Sequence, residues 1–223
     1  MNTKKTALIL IDLQKESNFG LQNLDNVIQN TNNVIRACRD LEIPIIYTRQ
    51  INRHDNIGLS KGEPITEKGT PLYYSTSEEN HEIVEEIAPK ENDIVIDKYR
   101  WSAFYETSLD LILRSLGVND IIIGGVVTDG CVMTTVFDAY FRDYKVHFIK
   151  DMCTTSNEGA HMASIMMMAN WVYNLEIYDT KHLINRLLEK PYSHWSFETA
   201  DSLKFTPENM RSVYDKLNHQ EED

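Results

Sequence analysis

Six short runs of apolar residues, rich in Val and Ile, recur along the chain at residues 7–11, 43–47, 94–96, 121–123, 146–149 and 175–178. Runs that are continuous rather than alternating fit strands buried on both faces, as in a parallel sheet. Between them, apolar residues return every three or four positions over 24–41, 108–116, 132–142 and 158–171, the spacing of a helix that buries one stripe. This alternation predicts an α/β fold: a doubly wound, six-stranded parallel sheet flanked by helices. Right-handed crossovers then bring the segments that follow the strands to one edge of the sheet, where such folds bind ligands.

Residues 49–77 break the alternation. They are polar, carry Gly58, Gly62, Gly69, Pro64 and Pro71, and are too long for a simple connection, which predicts a lid. After Pro191 no strand pattern is visible, although Thr206-Pro207-Glu208 has the cap, proline and acid of a helix start. The expected organisation is a domain over 1–190 and a C-terminal extension over 191–223 that packs on the domain or on a neighbouring subunit. The run 165–168, with three methionines, reads as core filling.

Composition adds constraints. With 42% hydrophobic and 25% charged residues, 223 residues suit a globular domain with its own core. A net charge of −12, with no basic run, sets the chain against nucleic-acid phosphates and anionic membrane surfaces. Lys4 and Lys5 precede the apolar run 7–11, but Asp12 stops it well short of a signal-peptide core. No stretch approaches the roughly 20 apolar residues of a membrane span. Cys38, Cys131 and Cys153 are odd in number and widely spaced, which fits neither a disulfide framework nor paired zinc ligands. The expectation is a soluble cytoplasmic protein with a small-molecule substrate, and with neither nucleic acid nor membrane as partner.

Three positions at the ends of predicted strands can carry chemistry. Asp12 follows the first strand; a strand-end aspartate also serves simply to cap a turn. Lys98 ends the third, where a lysine is otherwise just solvated. Cys131 closes Gly124-Gly125-Val126-Val127-Thr128-Asp129-Gly130-Cys131, a glycine-bearing turn from strand into helix. Thr128 or Asp129 as helix cap would leave Cys131 in the first turn, where the dipole favours a thiolate; a free cysteine is otherwise a buried, inert one. Proton transfer from an ordinary thiol to an ordinary aspartate is uphill by about 6 kcal/mol. An adjacent ammonium would narrow that gap, so carboxylate, amine and thiol have complementary roles. Cys38, inside a helix, and Cys153, without such a turn, lack that setting.

These segments resemble the isochorismatase-like cysteine hydrolases over roughly residues 6–184. The matching motifs are Leu10-Ile11-Asp12-Leu13-Gln14, Lys98-Tyr99-Arg100-Trp101-Ser102-Ala103-Phe104 and Gly125-Val126-Val127-Thr128-Asp129-Gly130-Cys131-Val132, with a weaker one over 151–163 that includes His161. The resemblance implies a catalytic triad of Asp12, Lys98 and Cys131, a cis peptide between Val126 and Val127, and an oxyanion hole formed by the Val127 and Cys131 amides. It implies no cofactor. Nicotinamidases of the family carry an Asp-x-His metal motif after the second strand, whereas this chain reads Tyr47-Thr48-Arg49-Gln50-Ile51-Asn52-Arg53-His54 there, so no metal site is expected. Isochorismatases proper lack the cysteine, so Cys131 argues for an amidohydrolase. The 100–104 segment looks most like members acting on linear ureido or carbamoyl compounds, such as ureidoacrylate, biuret and N-carbamoylsarcosine hydrolases.

Gln14, Phe19, Arg49, Tyr99, Arg100 and Trp101 follow strand ends and are the candidate substrate-binding residues, with Arg49 or Arg100 able to hold a carboxylate through a bidentate pair. A homo-oligomer is expected, since related hydrolases commonly pair and Tyr192, Trp195 and Phe197 cluster in the extension. The rival readings are a nicotinamidase-like or isochorismatase-type hydrolase, and a non-catalytic α/β protein that binds a small molecule. A nucleotide-binding protein is disfavoured, because Asp12-Leu13-Gln14 stands where a G-x-G-x-x-G turn would, and no G-x-x-x-x-G-K-[ST] loop occurs.

Overall fold

A computed structural model describes residues 1–16 and 19–218. Six parallel strands form the sheet: β1 (Thr6–Ile11), β2 (Ile45–Gln50), β3 (Ile94–Lys98), β4 (Asp120–Val126), β5 (Lys145–Thr154) and β6 (Glu176–Tyr178). A seventh, β7 (Trp195–Ser196), adds to the edge antiparallel to β6, in the order β3-β2-β1-β4-β5-β6-β7. The expected six are present; the extra strand comes from the C-terminal extension, where no strand was expected.

The apolar runs divide by the two-residue period of a strand. Ala7, Ile9 and Ile11 face one layer with Ile121, Ile123 and Phe148, packed against α2 (Leu109–Ser115), α3 (Met133–Tyr140) and α4 (Glu158–Trp171). Leu8, Leu10, Ile122 and Ile149 face the other, under α1 (Leu24–Asp40) and α5 (Thr180–Leu187). Met166 and Met168 are wholly buried in α4 while Met167 is exposed, consistent with core filling.

The extension folds back on its own domain. Trp195 is buried beside β6, and Val213 and Leu217, in and after α6 (Met210–Asp215), join the core. Asn170, buried in α4, donates to the Leu203 carbonyl (3.0 Å) and accepts from the Leu203 N–H (2.8 Å). Two of the three aromatic residues considered as assembly anchors are thus used internally: Trp195 in the core and Phe197 against Tyr173. The helix starts at Met210 rather than at Pro207. Among the described residues no helix is long and apolar enough to cross a membrane.

The strand order reverses between β1 and β4, a topological switch point that opens a crevice beyond their carboxyl ends. Gly125, buried near the carboxyl end of β4, has φ +135°, and a side-chain carbon there would lie 2.1 Å from the Ile11 carbonyl oxygen. Only glycine lets β4 approach β1 this closely, immediately before the Val126–Val127 peptide, which is cis.

Candidate active site

Asp12 leaves β1 with φ +51°, a left-handed conformation that aspartate tolerates better than most residues. Its side chain is held in the interior by the Thr48 hydroxyl, which donates to Oδ1 at 2.8 Å. Lys98 ends β3, two strands from β1, a separation of about 10 Å that the Lys98 and Asp12 side chains bridge between them. There Nζ lies 2.6 Å from Asp12 Oδ2, with both side chains fully buried. The same ammonium donates to Gln50 Oε1 (3.0 Å), the Arg100 carbonyl (3.1 Å) and Cys131 Sγ (3.5 Å). The three residues, distant in sequence, meet in one buried cluster.

Cys131 reaches this cluster on a π-helical turn, Thr128–Val132, which precedes α3. The Val127 carbonyl accepts from the N–H groups of Gly130 (3.1 Å) and Val132 (3.2 Å) on either side of Cys131. Thr128 does not cap the helix as expected. Its hydroxyl meets His161 Nδ1 at 2.9 Å instead, and no side chain caps the turn. His161 Nε2 faces the Tyr214 hydroxyl at 3.3 Å, and burial keeps this imidazole below its ordinary pKa. The second and third motifs are tied together by Thr135, whose hydroxyl donates to the Cys131 carbonyl (2.6 Å) and accepts from the Ala103 N–H (3.0 Å).

The electrostatics differ from the expectation of a resting thiolate. Burial pushes the Cys131 thiol up to about 12, and the nearby Lys98 ammonium only partly opposes this, while the Asp12 carboxylate adds to it. Desolvation outweighs the ion pair, so the free site holds a thiol. Burial also works against the charge of Lys98, but the facing Asp12 and Cys131 overcome it and hold the ammonium above its usual value.

Cys131 is the member of the cluster that opens outward, onto a cavity of about 930 Å³. Phe19, Arg100 and Trp101 line this cavity, as do Val127, Asp129 and Gly130. The 51–77 segment supplies a wall through residues 60–64, Tyr73 and Tyr74, with Phe19 stacked on Tyr73 at 4.5 Å between ring centres.

Three of the expected binding residues lie elsewhere. Arg49 points away, its guanidinium taken by Asp97 (2.7 Å) and Glu82 (2.9 Å), because the alternation of β2 turns Gln50 rather than Arg49 toward Lys98. Tyr99 packs against Gly58 outside the cavity. Gln14 is buried and supports the site from behind: it donates to the carbonyls of Gln50 (2.9 Å) and His81 (2.7 Å) and accepts from the Gln50 N–H (2.9 Å). Sequence reasoning missed Thr48, Gln50, Tyr73, Tyr74 and Asp129. Thr48 and Gln50 stood in a recognised strand region next to Arg49, and period-two alternation was the signal that separates them.

Asn52 is buried, with its side-chain amide on Glu63 and the Tyr73 carbonyl, and His54 is exposed with its ring beside Thr76. Among the described residues no group of three His, Cys, Asp or Glu side chains is placed to hold a metal ion.

Fold and site together define a class, an α/β protein with a buried aspartate–lysine–cysteine cluster at the switch point of its sheet. Residues 6–177 match the Isochorismatase domain family. The chain is 26% identical to the ureidoacrylate amidohydrolase RutB of Acinetobacter baylyi, covering 84% of this chain and 87% of that one. It is 31% identical to Nicotinamidase 3 of Arabidopsis thaliana, over 75% and 82% of the two chains. Among solved structures, a cysteine hydrolase from Pseudomonas syringae pv. phaseolicola superposes with a TM-score of 0.75 at 25% identity, covering 85% of this chain and 95% of that one. The protein belongs to the isochorismatase-like cysteine hydrolase family.

Proposed function

We propose that the protein hydrolyses the carbon–nitrogen bond of a small linear amide, ureido or carbamoyl compound through a thioester on Cys131. The observation that carries this reading is the single buried cluster of Asp12, Lys98 and Cys131, whose sulfur alone faces a substrate-sized cavity. As the sulfur adds to the substrate carbonyl, its proton passes to Asp12, and Lys98 stabilises the negative charge shared between them. The Val127 and Cys131 N–H groups receive the tetrahedral oxyanion. The carbon–nitrogen bond then breaks, the proton on Asp12 moves to the departing nitrogen, and an amine or ammonia leaves. Water attacks the thioester with Asp12 as base, releasing the acid and restoring the thiol.

Of the two arginines considered for a substrate carboxylate, Arg100 is the one on the cavity wall. One Nη of its guanidinium is already fixed by the carbonyls of Gly58 (3.0 Å) and Tyr99 (2.6 Å), which orients the remaining donors. Similarity to an amidohydrolase named for ureidoacrylate supports an acidic ureido substrate. The test is ammonia release across a panel of amides, ureas and carbamoyl acids that includes nicotinamide, with Cys131→Ala as control. Hydrolysis of at least one member, lost in the variant, supports the reading. Undiminished turnover by folded Cys131→Ala protein refutes it.

A further inference from the structure

Tyr74 combines features that a cavity wall does not need. It is only 7% exposed, yet it lines the cavity beside Cys131. Among the described residues its hydroxyl has no hydrogen-bond partner, although its backbone is fixed on both sides: its N–H donates to Glu16 Oε2 (2.9 Å), and its carbonyl accepts from the Asn52 N–H (2.9 Å). The residue is held at φ +50°, a left-handed conformation uncommon for a bulky side chain. A strained backbone maintained by surrounding contacts points to a functional demand on the side chain it aims. The ring rests near Phe19, with centres 5.6 Å apart, and phenylalanine would fill that space without presenting a hydroxyl to the cavity.

We propose that the Tyr74 hydroxyl is a catalytic contact of the leaving nitrogen, accepting its N–H and turning its lone pair toward Asp12. The inference rests on the amide hydrolysis proposed above. In the tetrahedral intermediate the nitrogen is pyramidal. Its lone pair must meet the proton held on Asp12, while its N–H needs an acceptor in a site from which water is largely displaced. Tyr74 gains and loses no proton: the proton moves from sulfur to Asp12 to nitrogen, and the carbon–nitrogen bond breaks as it arrives. Burial first, and then the nearby carboxylates of Asp12 and Glu16, hold the phenol well above its ordinary pKa, so it stays a neutral hydroxyl throughout. Its side chain lines the same cavity onto which the Cys131 sulfur opens, so a substrate held at the sulfur lies within that shared wall.

Tyr74→Phe keeps the ring and removes the hydroxyl alone. Two rates are to be measured on wild type and variant: turnover of the best amide from the panel, and alkylation of Cys131 by iodoacetamide, followed by intact mass. Alkylation reads the nucleophile but involves no leaving nitrogen. The expected result is a fall of about tenfold in amide turnover, mainly in kcat, with alkylation unchanged within about twofold. A fall of less than about threefold overturns the assignment, as does a parallel fall in alkylation, which would place the effect on the sulfur or the fold. If the wild type hydrolyses no amide at all, the reading of the function fails and takes this inference with it. If the wild type is active and Tyr74→Phe equals it, only the tyrosine assignment falls.

Discussion

Replacing Lys98 with Met is the most direct probe of the buried cluster, because methionine keeps the length and apolar bulk of the stem and removes only the charge. In the wild type Nζ stands 2.6 Å from Asp12 Oδ2, with neither side chain exposed to water. Lys98→Met leaves the Asp12 carboxylate with the Thr48 hydroxyl and the Cys131 thiol as its remaining partners. Breaking a buried pair from one side typically costs about 3–5 kcal/mol, since the surviving charge loses its counter-charge without regaining water. The Gln50 side chain and the Arg100 carbonyl also lose a donor, which adds on the order of 1 kcal/mol. Against a total stability of about 5–15 kcal/mol, this is a large fraction. The assay is urea unfolding at neutral pH, where such a loss moves the midpoint down by about 1–2 M. Asp12→Asn/Lys98→Met should recover about 2 kcal/mol or more of the loss, because the uncompensated charge is then gone. A single Lys98→Met variant within about 1 kcal/mol of wild type would refute the picture of a dry, mutually dependent pair.

Arg100→Met is expected to raise KM for carboxylate-bearing substrates about tenfold or more while changing neutral amides by less than about threefold; equal effects on both would remove Arg100 from substrate recognition. Burial pushes both Cys38 and Cys131 up to about 12. Their folded-state values lie above the unfolded value near 8.5, so their contribution to stability is present below that pH and is lost as pH rises toward about 12. Unfolding free energy should therefore fall between pH 8.5 and pH 11 by roughly 1.4 kcal/mol per thiol per unit at most, and a flat profile in that range would count against the buried thiols. Ending the chain at Lys190 removes Trp195, Val213 and Leu217 from the core, so the shortened protein should lose much of its cooperative thermal transition. A shortened protein that melts like full length but changes only its mass in light scattering would instead assign the extension to assembly.

The six parallel strands were legible because burial on both faces leaves continuous runs of Val and Ile, and the catalytic candidates because Asp12 follows such a run directly, Lys98 ends another strand, and Cys131 closes the glycine-bearing turn after a third. β7 has two residues, too few to show any period. α5 was overlooked although Asp179 accepts from the His182 N–H as its cap, because the segment is polar on its exposed face and carries no run to mark it. Arg49 and Gln50 show how far one residue of register matters: β2 extends to Gln50, and the pleat sends the amide to Lys98 and the guanidinium to the far side. Tyr74 was not legible, since its role depends on a left-handed backbone fixed by Glu16, 58 positions earlier in the chain. Local pattern locates strand ends, whereas the wall opposite them is set by a long segment whose path is decided by tertiary contacts.

The raised thiol and the lysine beside it resolve into one electrostatic design. In water an ammonium 3.5 Å from a sulfur would shift its proton affinity only slightly, because solvent screens the field. In the buried cluster the field is strong, but the same loss of solvent penalises the thiolate, and the penalty is the larger of the two effects at rest. In the proposed reaction the sulfur stays protonated until it adds to the carbonyl carbon and the developing charge passes to the carbonyl oxygen. At that point Lys98 and the proposed oxyanion donors act on charge spread over the adduct instead of charge confined to sulfur, which is the condition under which preorganised dipoles favour the transition state over the ground state. A low resting thiolate population and an efficient nucleophile are then compatible, provided the proton has somewhere to go, and Asp12, held by Thr48 and Lys98 at the end of β1, is the acceptor within the cluster.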